Sequence, residues 1–251
     1  MINSLLFFPE TNYYALPPDF GLKQEEVFLT TSDGTRLAGW FFNAPAPQAT
    51  LLFLHGNAGN VSGRLFKAKG WFDLGVSVFL LDYRGYGKSE GKIKKGADLI
   101  EDARAALRWL EETRQIPSDK IILYGESLGS YPAVELAREK KFAGLVLEAP
   151  FTTLLELART HYSWVPELLL KDFQMKNEAL IGMAQAPVFV LHGNKDDICP
   201  VEMGEQLYEL APAPKEFYVV QGGGHNDLPE VAQEAYFKNP YLFLVKENHF
   251  K

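Results

Sequence analysis

The chain has 251 residues, 47% of them apolar and 23% charged, with a net charge of -7 and a single cysteine, Cys199. That length suits one large domain with its own core. An acidic balance without a basic run argues against a nucleic-acid partner, which needs clustered Lys and Arg. One cysteine excludes an intrachain disulfide, and no Cys/His spacing suggests a structural zinc.

Residues 2–8, Ile-Asn-Ser-Leu-Leu-Phe-Phe, are apolar but far short of the roughly 20 residues of a membrane span, and no basic stretch precedes them. They read as a segment packed on the core, with membrane contact through residues 1–8 as the alternative. A cytoplasmic location is expected, membrane association being the second choice. Pro9, Pro17 and Pro18 mark an extended lead-in. Two strands, 27–31 and 35–43, flank the turn Ser32-Asp33-Gly34. Leu51-Leu52-Phe53-Leu54 is a wholly apolar strand, the kind that suits a parallel sheet covered on both faces.

A glycine-rich turn, His55-Gly56-Asn57-Ala58-Gly59-Asn60, leads to a helix over about 62–73, then a strand over 76–81. After the turn at 82–91, residues 97–113 place Leu99, Ala103, Leu107 and Leu110 on one helical face. Strand 120–124 follows, then a helix over 130–140 in which Pro132 removes an N–H, so its first turn should be distorted. Strand 143–147 precedes residues 151–186, which break the alternation and read as two or three short helices inserted above the sheet. Strand 188–191, helix 201–210, strand 216–220 and a mainly helical end from Leu228 complete the chain. Alternating strands and helices predict a single α/β domain, a mostly parallel eight-stranded sheet with helices on both faces and a short helical cap insert at 151–186.

The chemistry centres on Gly125-Glu126-Ser127-Leu128-Gly129, between an apolar strand and a helix. A serine in so tight a turn takes a strained backbone conformation, and glycines two residues to either side leave room for the neighbouring strand and helix. A serine hydroxyl needs a base, and the base needs a carboxylate to orient it. Of the five histidines, His225 is the candidate base, because Gly222-Gly223-Gly224-His225 forms a flexible turn just after the last predicted strand. His55 and His192 each end an apolar strand and read as hydrogen-bonded structural residues, His161 lies in the insert and His249 at the C-terminus. For the carboxylate, spacing favours Asp196, with Asp197 in reserve. The order Ser127, Asp196, His225 is the one expected when each group caps a successive strand. Backbone N–H groups of Leu128 and Asn57 are the candidate oxyanion donors. Leu154, Tyr162, Trp164 and Leu168 of the insert are candidates for an acyl pocket, with simple packing inside the insert as the other reading.

Together, His55-Gly56-Asn57, Gly125-Glu126-Ser127-Leu128-Gly129, His192-Gly193-Asn194-Lys195-Asp196 and Gly224-His225-Asn226-Asp227 resemble the α/β-hydrolase superfamily, as does Asp82-Tyr83-Arg84-Gly85-Tyr86-Gly87-Lys88-Ser89. The short insert and the Gly-His-Asn-Asp ending resemble the branch of fungal bud-emergence homologues and mammalian acyl-protein thioesterases that remove palmitate. The resemblance implies a serine esterase or thioesterase with Ser127 as nucleophile, Asp196 as orienting acid and His225 as base. Its oxyanion hole would be formed by Asn57 and Leu128. The chain lacks the cysteine-rich N-terminal segment of the depalmitoylating members, which favours a small ester or acyl substrate. No metal or organic cofactor is required. The alternatives are a binding or sensor protein that kept the fold, and a peptidase or C–C hydrolase using the same triad.

Overall fold

The computed structural model describes residues 6–248. Strands β1 (Glu25–Thr30) and β2 (Arg36–Phe42) form an antiparallel hairpin. Then come β3 (Thr50–Leu54), α1 (Leu65–Asp73), β4 (Ser77–Asp82), α2 (Gly96–Arg108), β5 (Ile121–Glu126), α3 (Ser130–Ala137) and β6 (Gly144–Glu148). An insert carrying α4 (Leu154–His161) leads to β7 (Val188–Gly193), α5 (Val201–Leu210), β8 (Lys215–Val220), α6 (Leu228–Ala232) and α7 (Glu234–Asn248). The eight strands lie in the order β8-β7-β6-β5-β3-β4-β2-β1. Only the β1–β2 and β2–β4 pairings are antiparallel.

The central strands are buried on both faces, so alternate residues feed two separate cores. Leu52, Leu54, Ile121 and Leu123 face one core, closed by α2, α3 and α5. Leu51, Phe53, Ile122 and Tyr124 face the other, closed by α1, α6 and α7. Strand order reverses between β3 and β5, which places a crevice at their carboxyl ends. Leu54 pairs with Gly125 there. The turns that follow, one from His55 and one from Ser127, therefore emerge side by side.

Several element ends differ from the sequence reading. The helix expected to reach residue 113 is α-helical only to Arg108 and ends as a wider π-type turn, Trp109–Thr113, whose Trp109 ring packs on Phe41 and Phe79. The helix expected over 130–140 stops at Ala137. Its entry is a 3-10 turn, Ser127–Gly129, which accommodates Pro132 as the third α-helical residue. The C-terminal helical stretch is interrupted at Gln233, which has φ 50°.

The insert consists of α4 and three short 3-10 turns, Glu167–Leu170, Asn177–Ala179 and Ile181–Met183. Asn177 Nδ2 anchors its base by donating to Ser130 Oγ at 3.0 Å and to the Phe151 carbonyl at 2.9 Å. No helix among the described residues is long and apolar enough to cross a membrane.

Candidate active site

Ser127 has φ 49°, a left-handed conformation that non-glycine residues rarely adopt. The flanking glycines are what allow it. A Cβ on Gly125 would stand 2.7 Å from the Gly129 carbonyl oxygen and from Ser130 Cα. A Cβ on Gly129 would overlap the Leu54 carbonyl. The pentapeptide is thus pressed between β3 and α3, and the serine is the residue left projecting.

The turns after β7 and β8 are stitched to one another. Asn194 Nδ2 donates to Gln221 Oε1 at 2.8 Å, the Gly222 N–H donates to Asn194 Oδ1 at 2.7 Å, and the Lys195 N–H donates to the Gly223 carbonyl at 2.8 Å. This brings together residues 29 and 98 positions apart: His225 Nδ1 lies 2.7 Å from Asp196 Oδ2, and His225 Nε2 lies 3.1 Å from Ser127 Oγ. A carboxylate can only accept, so Nδ1 carries the proton and Nε2 is left to accept that of the serine.

Asp196 is buried, which on its own would raise its pKa. Hydrogen bonds from His192 and His225, and from the Cys199 amide, outweigh burial and hold the carboxyl well below the usual range. Its second oxygen accepts the Ile198 and Cys199 N–H groups at 2.9 and 2.8 Å. Asp197 next to it is exposed. His55 and His192 are buried at strand ends, with ring nitrogens 2.7 Å from the Gly56 and Cys199 carbonyl oxygens respectively. His161 Nε2 lies 2.8 Å from the Ile198 carbonyl and ties α4 to the Asp196 turn. His249 falls outside the described residues.

Ser127 and His225 open into a cavity of about 290 Å³, whose walls also include Asn57, Leu128, Phe151 and Leu154. The Asn57 peptide is pinned by the Tyr86 hydroxyl, which donates to its carbonyl at 2.7 Å. Of the four insert residues expected to line an acyl pocket, Leu154 lines this cavity, joined by Leu157 from the next turn of α4. Tyr162, Trp164 and Leu168 are 61, 73 and 76% exposed and lie outside this lining. They follow α4, where the chain has already left the sheet. A larger, open cleft of about 670 Å³ lies at the other end of the strands, beside the first residues of β3 and β4.

Two features escaped the sequence reading. Leu6, Phe7 and Phe8 also line the cavity with Ser127 and His225. Beneath the serine, Glu126 accepts from Arg64 Nη2 at 2.7 Å, from Lys67 Nζ at 2.9 Å and from the Gly56 N–H at 3.3 Å. Lys67 Nζ also donates to Glu148 at 2.9 Å, and the Tyr124 and Tyr236 hydroxyls donate to Glu148 at 2.8 Å. Burial opposes ionisation of Glu126, but the Arg64 and Lys67 charges prevail and hold it well below the usual carboxylate range. A signal existed: Glu126 and Glu148 each end a wholly buried strand, and a buried carboxylate requires cationic partners.

Residues 45–184 match the Hydrolase_4 family, described as "Serine aminopeptidase, S33". The chain is 40% identical over 230 residues to an uncharacterised protein of Mycobacterium tuberculosis, covering 90% of this chain and 81% of that one. It is 30% identical over 242 residues to protein bem46 of Schizosaccharomyces pombe, covering 92% and 80%. Among solved structures, an esterase of Pyrococcus furiosus superposes with a TM-score of 0.81 at 22% identity, covering 96% of this chain and 98% of that one, a likeness of fold. Matching over more than half its length, and closely related to the mycobacterial protein, the chain belongs to the Hydrolase_4 family of α/β-hydrolases, and it is a serine hydrolase.

Proposed function

We propose that this protein is a serine esterase that cleaves carboxylic ester or thioester bonds of small or acyl substrates through an acyl-enzyme. The observation that carries the reading is the unbroken hydrogen-bonded chain from Ser127 Oγ through His225 to Asp196, at 3.1 and 2.7 Å. In the first step Ser127 Oγ attacks the carbonyl carbon as His225 Nε2 takes its proton. The oxyanion is met by the N–H groups of Leu128, at the head of the turn into α3, and of Asn57. Both residues line the cavity with Ser127, and each such donor is worth about 100- to 1,000-fold in rate. The proton on His225 passes to the leaving alcohol or thiol. Water, deprotonated by His225, then releases the acid and regenerates the serine. The fold shared with the Pyrococcus furiosus esterase supports this chemistry. Removal of palmitate from a protein would be its thioester form.

The family description suggests a second reading, an aminopeptidase. Such an enzyme must hold the α-ammonium of its substrate, which in a half-buried site needs a free carboxylate. Among the described residues lining the cavity the only carboxylate is Glu126, and Arg64, Lys67 and Gly56 already occupy it. That favours an uncharged ester.

A fluorophosphonate probe is expected to label the wild-type protein and to leave Ser127→Ala unlabelled, with ester turnover in the variant lower by about 10⁴-fold or more. Nitrophenyl esters should be cleaved in preference to aminoacyl amides, and an acyl thioester assayed beside them tests the thiol leaving group. A folded, unlabelled wild-type protein would overturn the catalytic reading in favour of a binding protein. Preference for the amides would restore the aminopeptidase.

A further inference from the structure

We propose that the N-terminal segment Leu6–Phe8 is the acyl-binding wall of this site and selects an uncharged, apolar acyl chain. The substrate class rests on the esterase reading above, whereas the wall itself rests on geometry. Leu6, Phe7 and Phe8 line the same cavity as Ser127 and His225, and Leu154, Leu157 and Ile198 complete its apolar surface.

The segment is built into the site. Asn57 Nδ2 donates to the Leu6 carbonyl at 2.7 Å, from the very residue whose N–H faces the reaction in the mechanism above. Phe8 and Pro9 pair in parallel with Ala58 and Gly59, the next two residues of that loop. The Glu10 N–H continues the ladder to the Gly59 carbonyl at 3.0 Å, and Asn60 Nδ2 donates back to the Glu10 carbonyl at 3.0 Å. Phe7 is buried against the Phe173 ring, 5.4 Å between centroids, which fastens the segment to the insert. Wall and oxyanion loop therefore form one hydrogen-bonded unit.

Phe8 behaves differently from Phe7. Its backbone is held, yet the residue is 55% exposed while still lining the cavity, and Ile198 in the same lining is 40% exposed. A large apolar ring fixed at the mouth of an apolar cavity offers surface that a bound alkyl chain would cover. Capacity follows from volume. A dry cavity of about 150 Å³ holds benzene, so one of about 290 Å³ holds about a dozen non-hydrogen atoms, which is an acyl chain of medium length. Among the described lining residues, the Arg64 and Glu126 charges are paired with one another at 2.7 Å.

The test compares Phe8→Ala with Phe66→Ala; Phe66 is 52% exposed, lies outside the cavity and packs its ring on Phe237. Losing contact with about two methylenes is worth roughly tenfold. In Phe8→Ala the ratio of kcat/KM for nitrophenyl octanoate to that for nitrophenyl acetate is expected to fall about tenfold, through KM, whereas Phe66→Ala keeps the wild-type ratio. Calorimetric binding of 2-nonanone, which has the octanoyl shape but no scissile bond, should weaken by a similar factor in Phe8→Ala alone. Equal ratios and equal ketone affinities in the two variants would overturn the wall. Absent ester turnover together with a Phe8-dependent ketone affinity would overturn the esterase reading and leave the wall standing.

Discussion

The tetrapeptide Leu-His-Gly-Asn occurs twice, at 54–57 and at 191–194, each time at the carboxyl end of a buried strand. Both histidines are fully buried, and each uses one ring nitrogen on a backbone carbonyl. Both stand near an aspartate, with His55 Nε2 3.9 Å from Asp82 and His192 Nε2 3.2 Å from Asp196. There the likeness ends. Burial raises the pKa of either carboxyl. Burial prevails over the Val61 N–H, the Tyr13 hydroxyl and the more distant Arg64 charge at Asp82, and pushes it up to about 7. Burial also drives His55 down to about 3, so the imidazole stays neutral. Asp196 gathers two amides and two imidazoles and stays ionised. The same four residues thus end beside a carboxyl that titrates near neutral pH at one strand and beside one that stays ionised at the other. What differs is the set of donors that tertiary neighbours bring to the aspartate.

Exchanging each carboxylate for its amide breaks this comparison most sharply. Asp196→Asn is expected to lower kcat by about 10⁴-fold, since the imidazole loses the acceptor that sets its tautomer. Asp82→Asn should cost about tenfold or less, because Asp82 supports the loop at Val61 and touches no reacting atom. Steady-state kinetics on one ester would check both, and comparable losses would erase the distinction.

The first copy has its own support in Glu126, which holds the Gly56 N–H. Glu126→Gln leaves Arg64 and part of Lys67 without their counter-charge, and the protein should lose about 3 kcal/mol in urea unfolding. The variant is also expected to lose more in kcat than in KM, because the disturbed loop carries Asn57, whose N–H is the proposed oxyanion donor.

The smallest effect is a difference in pH slope. Asp82 has a raised pKa, so the folded state holds this proton to higher pH than the unfolded chain does. Its stabilising effect is complete below about pH 4, declines as pH rises, and is gone above about 7. Asp196 has a depressed pKa, so its contribution is present above about pH 4 and is lost only as pH falls further. Urea midpoints at pH 5 and 7.5 should therefore show Asp82→Asn gaining stability relative to the wild type as pH rises. Asp196→Asn should leave that interval of the profile unchanged. Parallel profiles for Asp82→Asn and the wild type would count against the contrast.

Strand existence was legible because the central strands are continuous apolar runs, and those runs have few other uses in a chain of this composition. The elbow was legible because a strained serine requires glycines at fixed offsets, a constraint carried by five adjacent residues. The ends of α2 and α3 were less so, since ring packing around Trp109 and the tight entry at Ser127 are not local properties. Three of the insert residues expected for an acyl pocket lie outside the cavity for the same reason. Tyr162, Trp164 and Leu168 have the right composition for a pocket, but α4 carries the chain away from the cavity before they occur.

The sequence by itself determined the sheet, the strained serine and the order in which Ser127, Asp196 and His225 occur, because each depends on short-range sterics or on apolar periodicity. Only the tertiary structure brought Asp196 against His225, joined Glu126 to Arg64 and Lys67, and laid residues 6–8 along the cavity beside Ser127. Those outcomes depend on which groups meet across tens of residues in a water-poor interior. There a carboxylate's charge and a phenyl ring's task are set by neighbours that no local pattern specifies.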